Sequence, residues 1–556
     1  MEQGRVLIAI ALSFLVFFAW NFFFVEKPEV AQQQPTEGVE PAVKTQLQST
    51  TAPSSAAPEK PADAFLQPAK PSSKGVGEAR IITVKTPLYT VRISEEGAVF
   101  KRFELEHYQE HADKNSAKKN LIDPENSGQN MKVSFAGNGL SGLETAVYDA
   151  DDPSDTIDVM NNARTLTFTW QSENGVKVEK QFTFSPETYL IDMALVFKNG
   201  SGSGFTDRAV VEIQHALAQE KGGYAFEGPS ALLNGKLEQI KTKKIKDNNR
   251  LSGSFSWLAI EDRYFMRSLI PAEPVDGVIT LAVKDDDVIV GQLQQPEHTF
   301  LAGETVSYDY KVFFGPKNMQ LLNSLGYDLG KAIQFGMFGF IAKPLLWFMN
   351  FIYSVIPNYG IAIIILTICT KIVLWPLGNK SYKSMSEMKK IQPLMAELRE
   401  KYKNDKKQMN QELMALYKTY KINPMGGCLP MVLQIPVFFA LYRMLYQAIE
   451  LRHTPFMLWI NDLSAPDRLF EFGFTVPFMQ PPYGIPVLTL VMGATMFLQQ
   501  KMSPPPGDPA QAKMMMLMPV VFTFIFINFS SGLVLYWLVN NVLSIAQQYY
   551  IQKKYA

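Results

Sequence analysis

The chain has 556 residues with 53 basic and 53 acidic side chains, so its net charge is zero and indicates no nucleic acid partner. A mean hydropathy of −0.03 would suit a soluble protein, but it averages a polar half and a half rich in long apolar runs. Cys369 and Cys428 both lie in apolar runs, so the polar half must be held together by its core rather than by disulfides. The Cys and His spacing predicts no metal site, and we expect no cofactor.

The first 78 residues predict an anchor followed by a tether. The apolar run 6–25 is long enough to span a membrane and no small-residue cleavage site follows it, so residues 1–27 are predicted to be a signal-anchor helix. Arg5 favours a cytoplasmic N-terminus. Residues 28–78 contain eight prolines among Gln, Ser, Ala and Thr, a composition that predicts a disordered tether.

Residues 79–330 are predicted to form a large antiparallel β-sandwich. Short segments of alternating polar and apolar residues are separated by Gly, Asn, Asp and Pro, which is typical of such domains. The clearest segments are 80–85, 165–170, 178–184, 278–283 and 308–314. Residues 317–330 look helical, and the segment 331–352 is predicted to be an amphipathic helix at the membrane surface.

Residues 353–550 are predicted to form a helical membrane core of five spans. These are placed at about 356–377, 428–446, 485–500, 514–529 and 533–548, with a short tail at 551–556. Segment 378–425 has eleven Lys or Arg against five acidic residues, whereas segment 448–484 has two against four. The excess of basic residues predicts that the first segment and both termini are cytoplasmic and that the β domain is periplasmic.

The basic segment 378–425 is predicted to be a helical hairpin that projects into the cytoplasm. Apolar residues recur at steps of three and four in two runs, at Met385, Met388, Ile391, Met395 and Leu398 and at Met409, Leu413, Leu416 and Tyr420. Two interpretations remain open. The methionines either pack the two helices together or form an adaptable surface for varied apolar clients.

Lys371 lies inside the apolar run 361–375, where a lysine costs roughly 2.5–3.5 kcal/mol to insert. Its side chain either reaches out to the nearby membrane interface or marks a functional site. Polar residues recur in all five spans, and so many around one cation favour a shared hydrated cavity over simple helix contacts. They include Thr367, Thr370, Gln434, Gln499, Asn528 and Asn540.

Three strings carry a specific resemblance to a known family. Residues 423–442 (NPMGGCLPMVLQIPVFFALY), 497–504 (FLQQKMSP) and 529–537 (FSSGLVLYW) resemble the YidC family of membrane protein insertases in its Gram-negative arrangement. The resemblance implies an inner-membrane insertase and chaperone, not an enzyme. Its partners would be nascent membrane proteins, lipid, the Sec translocon and the ribosome.

The resemblance also implies a hydrophilic groove open to the cytoplasm, with Lys371 at the position where the family commonly has arginine. We expect the groove to contain Lys371, Thr367, Thr370, Gln434, Gln499, Asn528, Tyr536, Trp537 and Asn540. We expect a hydrophobic slide formed by Pro430, Pro436, Phe438, Phe439, Phe522 and Phe526. Two alternatives are a secondary transporter, for which no inverted repeat is evident, and a membrane-anchored carbohydrate-active protein.

Overall fold

The computed structural model describes residues 79–113, 115–122, 129–137, 139–216, 225–246, 249–284, 288–420, 422, 429–503 and 509–555. The side chains of residues 406, 429–433, 509–512 and 555 are not described. The predicted signal anchor and tether lie outside the described residues.

The polar half folds into β-strands wherever the sequence alternates. Buried and partly buried residues alternate strictly along the strand Val176–Phe184, which is the pattern of a sheet with one face in a core. All five segments singled out in the sequence are strands, which confirms those predictions. The described strands are β1 (Ile81–Lys85), β2 (Tyr89–Ser94), β3 (Val99–Gln109), β4 (Lys118–Asn120), β5 (Lys132–Phe135), β6 (Asp149–Ala150), β7 (Thr156–Asp158), β8 (Arg164–Gln171), β9 (Val176–Phe184), β10 (Leu190–Asn199), β11 (Phe205–Asp207), β12 (Ala209–Ala216), β13 (Gly228–Leu233), β14 (Lys236–Gln239), β15 (Arg250–Glu261), β16 (Phe265–Pro271), β17 (Val275–Lys284), β18 (Val288–Gln294), β19 (His298–Phe300), β20 (Thr305–Pro316), β21 (Leu469–Glu471) and β22 (Gly484–Ile485).

Two large sheets and a small sheet of β11 and β19 form the described part of the β domain. A five-stranded sheet has the order β4-β3-β2-β1-β7, and a thirteen-stranded sheet runs β5-β12-β18-β17-β15-β16-β20-β10-β9-β8-β6 with β13 and β14 attached at β15. Pairing is antiparallel except between β1 and β7. The sheets meet through aromatic rings: Phe100 of β3 lies 5.1 Å from Phe182 of β9, and Phe103 lies 5.2 Å from Phe314 of β20. The predicted β-rich domain is confirmed.

The second half of the chain is helical, and each of the five predicted spans falls on a helix. The described helices are α1 (Met319–Leu325), α2 (Gly339–Val355), α3 (Tyr359–Lys390), α4 (Gln392–Lys401), α5 (Lys406–Thr419), α6 (Leu429–Gln447), α7 (Val487–Met502), α8 (Pro509–Phe526) and α9 (Ser531–Tyr555). By length and composition, segments Gly336–Val355 and Tyr359–Lys390 are long enough to cross a membrane, and Lys513–Phe526 is apolar but shorter.

Helix α3 differs from the prediction because it does not end near Leu377. It continues without a break to Lys390 and forms the base of the predicted hairpin, whose two arms are α4 and α5. The arms enclose a small core of Ile391, Met395, Leu413, Tyr417 and Ile422, against which Met388 and Met409 pack. These three methionines therefore contribute to helix packing, as the first of the two interpretations states.

The β domain and the helices are joined by specific polar contacts. Arg263, after β15, donates from Nε to the carbonyl of Tyr446 in α6 at 2.8 Å. Arg452 donates to the carbonyl of Gln109 in β3 at 2.7 Å. Glu450 accepts from Asn318, the N-cap of α1, at 3.0 Å and from Asn350 of α2 at 3.4 Å. Burial raises the pKa of the Glu450 carboxyl.

Candidate functional site

Lys371 is half-buried on α3, between its apolar outer face and the helices behind it. The next two residues, Ile372 and Val373, are exposed, so the outer face of α3 is apolar at this level. The Lys371 ammonium turns inward and donates to Ser544 Oγ of α9 at 2.6 Å. Ser544 donates in turn to the carbonyl of Asn540 at 2.7 Å. Within the described part of the chain, no carboxylate forms an ion pair with Lys371.

A strip of hydrogen-bonded polar side chains extends from this contact to two further helices, α6 and α7. Gln434 of α6 donates from Nε2 to Asn540 Oδ1 at 3.1 Å and is hydrogen-bonded to Tyr536. Tyr382 of α3 is hydrogen-bonded to both Ser544 and Gln499 of α7. The predicted groove residues Lys371, Gln434, Gln499, Tyr536 and Asn540 are therefore brought into one network.

The hydroxyl groups of the two threonines near Lys371 are instead hydrogen-bonded to backbone carbonyls of their own helix. Thr367 donates from Oγ1 to the carbonyl of Ile363 at 2.6 Å, and Thr370 donates to the carbonyl of Thr367 at 2.9 Å. Such bonds to the preceding turn are the usual way in which threonine is accommodated inside a membrane helix. Thr367 is fully buried, so its hydroxyl group is not open to a cavity.

Asn528 lies apart from Lys371. It follows the end of α8, where its Nδ2 donates to the carbonyl of Phe478 at 2.8 Å and its Oδ1 accepts from the amide of Gln480, also at 2.8 Å. Arg468 donates to Asn528 Oδ1 at 3.4 Å and to the carbonyl of Ile527 at 2.9 Å. Asn528 thus fastens the loop between α6 and α7 to the turn between α8 and α9.

Most of the predicted slide residues form an aromatic cluster around Trp537. The Trp537 ring lies 4.7 Å from Phe438, 5.0 Å from Phe526 and 6.3 Å from Phe522. The Phe439 ring lies at the edge of this cluster, 5.6 Å from Phe438 and 6.4 Å from Phe338. Pro436 lies within α6, whereas the side chain of Pro430 is outside the described residues. The apolar side chains that face outward on α8 are different ones, among them Leu517 and Phe524.

Four further residues of the site, Ser544, Tyr382, Gln547 and Gln548, were not predicted from the sequence. Three of them follow Asn540 on α9 at helical spacing, so a polar stripe at 540, 544, 547 and 548 was present as a signal. Gln547 donates from Nε2 to Asn379 Oδ1 at 3.0 Å. The buried Oε1 atoms of Gln547 and Gln548 have no hydrogen-bond partner. A Cβ at Gly378 would lie 2.7 Å from Gln547 Nε2, so the glutamine side chain would have to shift to admit one.

This arrangement defines a class of protein: a helical membrane protein with a polar strip inside its core and a large β domain joined to it. The family model described as 60Kd inner membrane protein matches residues 351–556, and the model for the YidC periplasmic domain matches residues 81–348. No group of three or more His, Cys, Asp or Glu among the described residues is arranged to hold a metal ion.

Two relatives named membrane protein insertase YidC match over nearly their full length. The protein of Syntrophus aciditrophicus is 41% identical over 560 residues, covering 99% of each chain. That of Syntrophobacter fumaroxidans is 40% identical over 566 residues, covering 99% of this chain and 100% of its own. A solved structure of an active YidC insertase is 18% identical, with a TM-score of 0.37, over 85% of this chain and 95% of its own.

The chain belongs to the YidC family of membrane protein insertases. The resemblance found in the sequence is confirmed, as is the expectation that the chain is not an enzyme. It is an inner-membrane protein with a periplasmic domain. The family match favours an insertase over the transporter and the carbohydrate-active protein.

Proposed function

We propose that this protein inserts nascent integral membrane proteins into the inner membrane, and that Lys371 receives the hydrophilic end of each client. The observation that carries this proposal is the Lys371 ammonium, which lies within the helical core and is hydrogen-bonded to Ser544 without a described carboxylate partner. An ammonium in such surroundings is costly unless it pairs with an anion, so an acidic client tail gains free energy by entering.

The chemistry of lysine limits what this site does. An ammonium is a compact point charge, whereas the arginine common in the family offers five donors in a rigid fork. Lys371 therefore attracts acidic groups without imposing a bidentate geometry on them. This suits a site that must accept tails of different sequence.

The strip around Lys371 supports a hydrated groove. Gln434, Gln499 and Asn540 bring polar groups from three helices into one network, and the unpaired Oε1 atoms of Gln547 and Gln548 are ready acceptors for water. Because α3 continues beyond Lys371 into the basic hairpin, this groove opens on the hairpin side of the core. The positive-inside rule makes that side the cytoplasm, with both termini on it.

The apolar segment of a client needs a different surface. The exposed side chains of α6 and α8, such as Ile435, Leu517 and Phe524, form a lipid-facing route beside the polar strip. Burial of the client in lipid would drive the process. The membrane potential adds roughly 2.3 kcal/mol per 100 mV for each negative charge moved outward.

Contacts of α2 support its position at the membrane surface rather than across the bilayer. Asn350, in the second half of α2, donates to Glu450 just beyond the end of α6 and accepts from the Tyr359 hydroxyl group at the start of α3. Glu450 also accepts from Asn318 of the β domain. A helix whose middle meets the ends of two spans and the periplasmic domain lies along the boundary. This placement agrees with the six spans expected from the sequence, of which the first, residues 6–25, lies outside the described residues.

The hairpin of α4 and α5 is the element that we assign to partners on the cytoplasmic side. Its basic surface suits contact with the ribosome, and the core suits lateral release of clients from the Sec translocon. These two partnerships rest on the family resemblance.

Reconstitution of the full chain alone in liposomes tests the proposal with a short-tailed client. Lys371→Ala should depress insertion about tenfold, because loss of one interaction between the ammonium and an acidic client group costs about 1.5 kcal/mol. Lys371→Arg should retain insertion. Lys380→Ala, an exposed lysine on the same helix, is the matched control and should leave the rate unchanged. Normal insertion by Lys371→Ala would refute the electrostatic role, and no insertion by the wild-type chain would refute the function.

A further inference from the structure

A cavity lies where the β domain passes into the helical core. It has a volume of about 350 Å³ and is bounded by α1, the short turn at residues 329–332 and the middle of α2. Asn323, Asp328, Lys331, Lys343, Trp347 and Asn350 contribute to its wall. Gly330 lets the two sides approach, because a Cβ there would lie 2.0 Å from Asn323 Oδ1.

The charges on the wall leave one cation unmatched. Lys331 pairs with Asp328 at 2.9 Å and also donates to the carbonyl of Gly235 at 3.3 Å. Lys343 is exposed and forms no ion pair with any described residue. Behind the wall, Glu450 is covered by the amides of Asn318 and Asn350. The cavity therefore offers the free ammonium of Lys343 and the exposed side-chain amide of Asn323, which is a combination that binds phosphate oxygens.

The rim of the cavity is continuous with an apolar face. Phe340 is 74% exposed and Trp347 is 64% exposed, and Phe351 and Val355 continue the same face of α2 at steps of four. A large exposed apolar stripe marks a surface that meets lipid or a partner, and tryptophan is enriched where the hydrocarbon ends. Lys343 lies between Phe340 and Trp347 in the helix, so the cation is next to the stripe.

We propose that this cavity binds the phosphate-bearing headgroup of an anionic phospholipid from the periplasmic leaflet. The headgroup phosphate binds the Lys343 ammonium, and the acyl chains lie along the stripe of Phe340, Trp347 and Phe351. Helix α1 and the turn 329–332 follow directly on β20, the last strand of the β domain. A lipid bound there therefore holds that domain against the bilayer. The inference rests on the placement of α2 at the membrane surface and not on the role of Lys371.

The test is native mass spectrometry of the full chain released from nanodiscs that contain equal amounts of phosphatidylglycerol and phosphatidylcholine. The wild-type chain should retain phosphatidylglycerol in preference to phosphatidylcholine. Lys343→Ala should lower the retained phosphatidylglycerol about tenfold, and Lys343→Arg should restore it. Asp328→Asn should increase retention of phosphatidylglycerol, because it removes a carboxylate that repels the phosphate and pairs with the Lys331 ammonium. Lys85→Ala, an exposed lysine of β1, is the control and should have no effect.

Three outcomes would overturn the proposal. Lys343→Ala and wild type could retain the same amount of phosphatidylglycerol, or phosphatidylcholine could be retained equally well. The third is displacement of phosphatidylglycerol by an equal concentration of soluble glycerol phosphate, which would show that the occupant is a free anion. We expect no such displacement, because glycerol phosphate lacks the chains that contact the stripe.

Discussion

The guanidinium carbon of Arg263 lies 3.7 Å from the centre of the Tyr446 ring, while Arg263 Nε donates to the carbonyl of the same residue at 2.8 Å. Arg263 follows strand β15 of the periplasmic domain, and Tyr446 is in the last turn of α6. One side chain of the β domain thus holds both the ring and the backbone at the end of a membrane helix that also carries Gln434 of the polar strip.

We therefore predict that Arg263→Ala loosens the end of α6. The cation–π contact and the hydrogen bond together contribute about 1–2 kcal/mol, so local opening should become roughly tenfold more frequent. Hydrogen exchange of the amides at residues 446–452, in the reconstituted protein, measures this opening. Arg92→Ala, at an exposed position of β2, is the control. Unchanged exchange in Arg263→Ala would show that the contact does not hold the helix end.

A second prediction concerns the partner of Lys371. Ser544→Ala removes the acceptor at 2.6 Å, so the ammonium loses the contact that fixes its position in the polar strip. A hydrogen bond to a charged group contributes about 1.5 kcal/mol, and we expect insertion to slow roughly tenfold. Ser354→Ala is a matched control, because Ser354 is an exposed helical serine that donates to its own helix. Insertion rates of the two variants in liposomes should differ; equal rates would contradict a positioning role for Ser544.

The third prediction is a pH dependence of the β domain. The Lys180 ammonium is fully buried and donates to the carbonyls of Gly97 at 2.6 Å and Met131 at 3.0 Å. Burial lowers the pKa of Lys180 to about 7, with Lys132 adding to the effect. Between pH 7 and about 10 the unfolded chain keeps this proton and the folded chain loses it, so the free energy of unfolding should increase with pH by up to about 1.4 kcal/mol per unit.

Pulse proteolysis in urea, detecting the β-domain fragment, measures this effect. The midpoint should move to higher urea between pH 7 and pH 9 in the wild-type chain. Lys180→Met should remove this pH dependence, whereas Lys198→Met, at an exposed position of β10, should preserve it. A wild-type midpoint that stays constant over this range would contradict the assigned titration.

The strands and the positions of the helices were predictable because alternation and apolar runs report directly on burial. The continuation of α3 to Lys390 was not predictable from the sequence, because Gly378 and Asn379 resemble a helix end. Gln547 of α9 packs on Gly378 and donates to Asn379, and this tertiary contact overrides the local preference.

The composition of the polar strip was predictable only in part. Lys371, Gln434 and Asn540 are conspicuous in apolar runs, whereas Ser544 and Tyr382 are ordinary residues that become important through their contacts. Asn528 is equally conspicuous in sequence, but α8 ends at Phe526, which places Asn528 in a turn. The position of a helix end decides such cases, and a single sequence locates helix ends poorly.

Helix α3 carries both Lys371 and the base of the hairpin in one continuous helix. Its 32 residues extend about 48 Å at 1.5 Å per residue, well beyond the roughly 30 Å of a hydrocarbon layer. Pro376 lies between Lys371 and the hairpin and removes one backbone hydrogen bond there. A load on the hairpin would bend α3 at Pro376, on the hairpin side of Lys371. The hairpin can therefore move while the Lys371 ammonium keeps its hydrogen bond to Ser544.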